Sequence, residues 1–331
     1  MKKLWIASAI GLQIAVLLGM AAEREYIRET GRIVFLQTLP VDPRDYFRGD
    51  YVRLNYEFSQ VNKESAHEAF GSEPVKKGTR IYAVLAQNPE GVAEVVRIAK
   101  KKPENGLFIA GRISHPWGLR HGFNEMNVLY GIESYYVQQG RGKTIEEKMS
   151  PGPIRHSLEV EVALGKNGTA VLRGHRWGPF ATELKILESA APVSAGRPVE
   201  SNTVRSGRLS PKLRFSIVNV GSEPRALVIP PDLCSLRLVA IRYDGEKVFG
   251  PPGECKTGPE DVHLLAPSER KDIEIDLAES RWHVPGAGGQ KAEIGASDRL
   301  QRYRILYRSP IGAVWQGKLA SQPFMPATLI D

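Results

Sequence analysis

The chain has 331 residues, of which 42% are hydrophobic and 25% charged, as in a globular protein long enough for two domains. Its 23 prolines and 32 glycines indicate many turns, which favours a mainly β architecture over a helical bundle. The formal net charge of +8 comes from basic residues spread along the chain. It predicts a solvated basic surface, with attraction to anionic lipid headgroups or cell-wall polymers as the alternative.

The first 22 residues predict where the protein sits. Lys2 and Lys3 precede residues 4–22, which carry no charge. As a helix this segment would be about 28 Å long, close to the hydrocarbon thickness of a bilayer. A cleaved signal peptide usually has a shorter apolar core, so the length favours an uncleaved transmembrane signal anchor. We expect residues 1–3 in the cytoplasm, a single pass through the inner (cytoplasmic) membrane, and a periplasmic body that meets no nucleic acid.

Alternating apolar and polar residues predict a series of short strands after the anchor. The strongest local prediction is a hairpin in which residues 158–164 and 169–173 flank the turn Asn167-Gly168. A polar segment at 61–70 predicts a short surface helix. The other strands predicted before residue 188 cover 32–38, 51–58, 80–85, 93–99, 107–113 and 128–137.

The composition changes after the hairpin and predicts a second domain. Residues 188–207 are rich in Ser, Ala, Pro, Gly and Arg and predict a linker. Roughly seven short strands over residues 208–325 predict an Ig-like β-sandwich, although the Cys–Trp–Cys signature of immunoglobulin domains is absent. Cys234 and Cys255 lie near strand ends there. A disulfide between them would stabilise the fold by about 3 kcal/mol in the chain-entropy model, and an oxidising compartment favours it.

The segment 40–59 combines a charged turn with an alternating strand, and the apolar face of that strand, which we expect to be buried, carries Val52, Leu54, Tyr56 and Phe58. Residues 49–56 read Gly-Asp-Tyr-Val-Arg-Leu-Asn-Tyr, and the chain therefore resembles the bacterial family named after the motif GDYXXLXY. The resemblance covers residues 31–187 and includes a second block at 130–140. It implies a membrane anchor and an extracytoplasmic β-rich domain, and it brings no established activity. The residues that carry it are Arg44, Asp45, Arg48, Gly49, Asp50, Tyr51, Leu54, Tyr56, Tyr130, Gly131 and Glu133.

The charged turn before the strand allows two interpretations. Asp42, Asp45 and Asp50 would serve acid/base catalysis or bind a hard cation. The interleaved Arg44 and Arg48 instead favour ion pairs that fix the turn. We therefore expect a structural role for these side chains, with no metal and no cofactor.

The function that we expect is a non-enzymatic binding or assembly module for a neighbouring membrane protein or a cell-envelope polymer. The alternative is an envelope hydrolase that uses carboxylates around Asp50 and Glu133. An enzyme requires these carboxylates or a histidine to converge at an open cleft. Tyr135 and Tyr136 are adjacent in a strand, so they face opposite ways, and Tyr135 is the exposed one if Tyr136 packs inward.

Overall fold

The structure is a computed structural model of the 331-residue chain. Strands dominate it and a long apolar helix lies at the N-terminus, which confirms the expected mainly β architecture with such a helix. The residues that the structure describes are 2–38, 51–62, 68–71, 75–115, 125–139, 141–149, 154–188, 190–194, 210–242, 245–249, 255–282, 284–285, 291–292, 294 and 301–330.

Helix α1, Lys2–Thr30, contains the predicted span 4–22 and continues beyond it. It is long and apolar enough to cross a membrane, judged by length and composition. Its large apolar side chains from Trp5 to Met20 are exposed and do not pack on the protein. At the end of the helix Ile27 is buried, and the Gly31 N–H donates to the Ile27 carbonyl at 2.7 Å.

The internal contacts divide the chain into two compact units that do not follow chain order. Unit 1 holds the described residues of 1–41, 51–137 and 159–176, and unit 2 holds those of 138–158 and 177–331. Strands β9 (Arg155–Leu164) and β10 (Ala170–Glu188) contribute residues to both. The domain limits predicted at 31–187 and 208–325, and the linker at 188–207, stay predictions.

Unit 1 is built on an antiparallel five-stranded sheet with the order β3-β7-β6-β4-β5. Strand β1 pairs antiparallel with β9, and β2 pairs antiparallel with β8. The apolar positions of these alternating strands form its core, which includes Val34, Leu36, Ile81, Ile109, Ile113, Val128, Val160 and Val162. The strand bounds are β1 Arg32–Gln37, β2 Tyr51–Arg53, β3 Gln60–Asn62, β4 Arg80–Gln87, β5 Ala93–Ala99, β6 Leu107–His115, β7 Glu125–Leu129 and β8 Ser134–Tyr136.

The hairpin predicted around Asn167-Gly168 is confirmed as the turn between β9 and β10. The Gly165 N–H donates to the Thr169 carbonyl at 2.9 Å and closes the turn. Gly168 has a φ of +84°, and a Cβ atom there would lie 2.8 Å from the ring of Phe108. Glycine is therefore required at this position both by the backbone angle and by the close approach.

The strand predicted at 51–58 is shorter in the structure. Strand β2 ends at Arg53, and a 3₁₀ turn at Glu57–Ser59 follows. The alternation of apolar and polar residues still predicts the buried positions correctly, because Val52, Leu54 and Tyr56 are all buried.

Two other predictions for unit 1 also need correction. The strand predicted at 128–137 is divided into β7 and β8, since Gly131 turns the chain with a φ of +80°. The helix predicted at 61–70 begins instead as strand β3, and only residues 68–70 are helical, whereas 63–67 lie outside the described residues.

Unit 2 contains two larger antiparallel sheets whose side chains share one hydrophobic core. In the first, β10 pairs with β12 (Lys212–Asn219) and β12 with β17 (Arg270–Asp276). The second has the order β15-β14-β20-β21. The first sheet supplies Phe180, Leu213, Phe215, Ile217, Ile273 and Ile275 to the core, and the second supplies Leu236, Leu238, Ala240, Tyr303, Ile305, Tyr307 and Leu319.

Shorter elements complete unit 2. Helix α2 is Arg141–Met149, and β11 (Ala190–Ser194) pairs in parallel with β22 (Ala327–Ile330). Strand β13 pairs with β16 and β18 with β19, both antiparallel. The remaining bounds are β13 Arg225–Val228, β14 Leu236–Arg242, β15 Gly245–Phe249, β16 Val262–Leu265, β18 Val284–Pro285, β19 Lys291–Ala292, β20 Arg302–Arg308 and β21 Lys318–Ala320.

The two cysteines of unit 2 are joined in the structure. Cys234 and Cys255 form a disulfide whose Cα atoms are 5.4 Å apart, across a sequence separation of 21 residues. Cys234 is buried just before β14. The bond fixes residue 255 next to the start of a core strand.

Candidate functional site

The described part of the sequence motif begins at Tyr51. Arg44, Asp45, Arg48, Gly49 and Asp50, predicted as motif residues, lie outside the described residues. The motif residues that the structure describes therefore come from residues 51–56 and from the second block, 130–139.

Backbone hydrogen bonds join residues 51–58 to residues 130–136 of the second block, and we call this contact the motif junction. Strand β2 pairs with β8, which places Tyr51 opposite Tyr136 and Val52 opposite Tyr135. The ladder is extended by the Leu54 N–H, which donates to the Glu133 carbonyl at 2.8 Å. The structure thus brings together two sequence segments that are separated by more than 70 residues.

Two tyrosine hydroxyls reinforce this junction. The buried Tyr56 hydroxyl donates to the Ile132 carbonyl at 2.8 Å, and the Tyr130 hydroxyl donates to the Phe58 carbonyl at 3.0 Å. The Phe58 ring lies between the two phenols, stacked on Tyr56 at 5.3 Å and edge-on to Tyr130 at 4.9 Å. Each segment therefore donates one side-chain hydrogen bond to the backbone of the other.

The environment keeps both phenols protonated. Burial raises the pKa of Tyr56 and of Tyr130 well above the usual value, and the nearby negative charge of Glu133 raises both further. Gly111 leaves room for the Tyr130 ring, since a Cβ atom there would lie 2.7 Å from it. The phenols are thus suited to donate structural hydrogen bonds and unsuited to act as bases at neutral pH.

The Glu133 carboxylate accepts backbone hydrogen bonds in the turn that separates β7 from β8. One carboxylate oxygen accepts the Tyr130 N–H at 2.5 Å, and the other accepts the Gly131 N–H at 3.0 Å. Charge-assisted bonds of this kind are about twice as strong as neutral ones. With both oxygens engaged in this way, the geometry favours a structural role for Glu133 over the acid/base role of the hydrolase alternative.

A polar pair that the sequence patterns did not indicate lies beside the motif. The Tyr135 hydroxyl is 3.1 Å from Nδ1 of His175 on β10. Burial lowers the pKa of His175, and it raises that of Tyr135, to which the charge of Glu161 also contributes. Glu161 is in turn 3.6 Å from Nε of Arg173.

An ion pair on the same two strands, β9 and β10, is more deeply buried. The Arg176 Nε–H donates to the buried Glu159 carboxylate at 2.6 Å, and its Nη2 donates to the Glu90 carbonyl at 2.7 Å. The guanidinium lies 3.6 Å from the centroid of the Phe35 ring. Burial raises the pKa of Glu159 and Arg176 opposes that shift. Every group here has a protein partner, so the pair ties β1, β9 and β10 together.

The exposed tyrosine of strand β8 is Tyr136, not Tyr135. The Tyr136 side chain is 79% exposed, whereas Tyr135 is half-buried against His175. Tyr136 is therefore the aromatic group that the motif junction presents to the surroundings.

Unit 2 presents an apolar turn between β20 and β21. Ile311 is 96% exposed and Val314 is 74% exposed, while the next residue, Trp315, is buried. The Trp315 ring packs edge-on against Phe180 at 4.9 Å. We call residues 309–317 the apolar turn.

Hydrogen bonds close the apolar turn at its base. The Ser309 N–H donates to the Gly317 carbonyl at 3.0 Å, and the Gly317 N–H donates to the Ser309 hydroxyl at 2.8 Å. The two exposed apolar side chains are thus held on a scaffold anchored in the core. In the part of the chain that the structure describes, no group of three or more His, Cys, Asp or Glu side chains is placed to hold a metal ion.

The comparisons with known proteins support the family indicated by the motif. Residues 13–174 match the model of the family described as GDYXXLXY protein, so the match starts and ends earlier than the predicted 31–187. No curated protein matches the chain.

Similar solved structures include a β-glucosidase from Listeria innocua in complex with glucose, at 10% identity and a TM-score of 0.21. That match covers 48% of this chain and 17% of the enzyme chain. A mutant of the enzyme in complex with laminaribiose has the same TM-score of 0.21, at 11% identity over 46% of this chain and 17% of that one. Likeness this low carries no argument about function.

The first prediction concerns the carboxylate of Glu133. Glu133→Gln should lower the free energy of unfolding of the detergent-solubilised full chain by about 1–3 kcal/mol, because the Tyr130 and Gly131 N–H groups lose their charged acceptor. Chemical denaturation followed by tryptophan fluorescence measures the change. Glu68→Gln, at an exposed carboxylate of the same unit, is the matched control and should stay within about 0.5 kcal/mol of the parent. Equal losses in both variants would contradict the structural role.

The second prediction concerns the pH dependence of stability. The pKa of His175 is lower in the folded chain than the ordinary 6.5, so below that value the unfolded chain binds a proton that the folded chain does not. Stability should therefore fall as the pH drops through this window. The stability of the parent relative to His175→Gln should decrease between about pH 8 and pH 5, as measured by denaturation at several pH values. A difference that is constant with pH would disprove this.

Proposed function

Starting from the family match over residues 13–174, we propose that the chain is a membrane-anchored envelope protein that binds a neighbouring membrane protein without catalysing a reaction. Helix α1 is the uncleaved anchor, with residues 1–3 in the cytoplasm and the body outside the inner membrane. The length and the exposed apolar surface of α1 support its role as the anchor.

Unit 2 is the part that contacts the partner, and we assign it to the Ig-like β-sandwiches. The support is architectural, since two antiparallel sheets share one apolar core and a series of short strands is joined by turns. Sandwiches of this kind frequently recognise partners through their loops and edge strands.

The apolar turn is the observation that carries the proposal. Ile311 and Val314 are exposed although each would gain free energy by burial, and both belong to one short turn. Trp315 and the hydrogen bonds of Ser309 hold the turn in place, so little conformational entropy is lost when a partner covers it. A preorganised apolar feature fits a protein partner better than a polar cell-envelope polymer.

The motif junction supports the non-enzymatic part of the proposal. Among the described motif residues, Tyr56, Tyr130 and Glu133 all direct their polar atoms at backbone groups. A structural frame of this kind gives the body a defined shape next to the membrane and leaves recognition to exposed groups such as the apolar turn.

The third prediction is that polar substitutions in the apolar turn abolish co-purification of the partner. The full chain, affinity-tagged and purified from detergent-solubilised membranes, should retain a membrane protein that Ile311→Ser/Val314→Ser no longer retains. The matched control is Val262→Ser/Leu264→Ser, which changes two exposed apolar residues of β16 in the same unit. The control should retain the partner, and both variants should unfold at the temperature of the parent. Equal recovery with the parent and the turn variant would overturn the proposal.

A further inference from the structure

The end of unit 1 that carries α1 combines three segments that are close together in space. They are residues 23–32 at the end of α1 and start of β1, residues 100–106 between β5 and β6, and residues 165–169 in the β9–β10 turn. We call these segments the basic end. Its contacts, its charge and its distance from the apolar span together indicate what it binds.

The β9–β10 turn packs directly on α1. Ile27 is buried, and a Cβ atom added at Gly165 would lie 3.1 Å from its side chain. Asn167 Nδ2 donates to the Glu23 carboxylate at 3.4 Å. Because the contacts begin at the first residue after the apolar span, no flexible linker separates the body from the end of the span.

The same turn also packs against the segment that carries three consecutive lysines. The Ala110 N–H donates to the Gly168 carbonyl at 2.9 Å, and a Cβ at Gly168 would meet the Phe108 ring. The Lys102 ammonium lies 5.9 Å from the centroid of that ring. A continuous series of contacts therefore runs from α1 through the turn to residues 100–102.

The rise of helix α1 determines how far the basic end lies from the apolar span. At about 1.5 Å per residue, Ile27 lies only about 8 Å beyond the last apolar residue, Ala22. The headgroup layer on each side of a bilayer is of similar thickness. With α1 in the membrane, the turn that packs on Ile27 lies at the level of the headgroups.

The charge of the basic end is predominantly positive. The basic end contains seven basic residues and four acidic ones. The acidic residues are Glu23, Glu25, Glu29 and Glu104. Two of the acidic ones have partners within the end, since Glu23 contacts Asn167 and Glu25 contacts Arg28. The basic residues, all of them exposed, are Arg24, Arg28, Arg32, Lys100, Lys101, Lys102 and Lys166.

We propose that the basic end binds the anionic phospholipid headgroups of the membrane that α1 spans, so that the body lies against the bilayer surface. The inference rests on the proposed function in one respect, which is that α1 is an uncleaved anchor. Clustered basic side chains beside a span attract anionic lipids within about a Debye length, and salt weakens the attraction. The occupant is a lipid and not a soluble phosphate, because the anchor holds the basic end at the headgroups at all times.

The fourth prediction tests this in the full chain. The protein is reconstituted in vesicles of phosphatidylcholine alone or with phosphatidylglycerol as the minor component, and flotation after an alkaline wash checks that α1 holds it. Hydrogen–deuterium exchange of residues 100–106 and 165–169 should be slower with phosphatidylglycerol, and high salt should remove the difference. The variant Lys100→Gln/Lys101→Gln/Lys102→Gln should lose the protection.

A charge-retaining variant is the matched control. Lys100→Arg/Lys101→Arg/Lys102→Arg should keep the protection, because it preserves the positive charges at the same positions. Suppose that hydrogen–deuterium exchange is equal in the two kinds of vesicle and that the protein still floats with them. The proposed lipid contact would then be wrong, whereas the proposed anchor would be unaffected. Loss of the protein from vesicles during the wash would overturn the anchor of the proposed function and the lipid contact together.

Discussion

The structure of unit 1 depends on how the backbone of the short turn between β7 and β8 is satisfied. Gly131 turns the chain with a positive φ, and the amides of Tyr130 and Gly131 then point at the carboxylate of Glu133. The same turn supplies the carbonyls that accept the Leu54 N–H and the Tyr56 hydroxyl. An unsatisfied buried polar group costs about 1–3 kcal/mol, so the motif and the second block stabilise each other.

Features specified by neighbouring residues were predictable from the sequence, and features specified by distant ones were not. The Asn167-Gly168 hairpin was predicted correctly because alternation and a turn signal act locally, and the alternation also identified Leu54 and Tyr56 as buried. The predicted end of β2 was wrong because the chain enters a 3₁₀ turn at Glu57–Ser59, next to Tyr56, whose hydroxyl bonds to the distant Ile132 carbonyl. The Tyr135–His175 pair joins side chains 40 residues apart, and no spacing rule indicates it.

The proposed function assigns three tasks to different parts of the chain. In the proposed function, helix α1 and the basic end together fix unit 1 at the membrane, and the contacts of Ile27 with the β9–β10 turn connect them. The motif junction gives unit 1 its shape. The apolar turn of unit 2, which no periodic pattern indicates, exposes Ile311 and Val314, and we propose that they contact the partner. In this account the family motif is a structural signature, and the specific partner is recognised elsewhere.

The most direct test of that account is a double-mutant cycle between the two phenols of the junction, Tyr56→Phe and Tyr130→Phe, measured by denaturation of the detergent-solubilised full chain. Both hydroxyls join the same two segments around Phe58, so the loss of one weakens the geometry of the other. The account predicts a coupling free energy above about 0.5 kcal/mol, as for residues of one network. Additive losses, or no loss of stability in either variant, would contradict it.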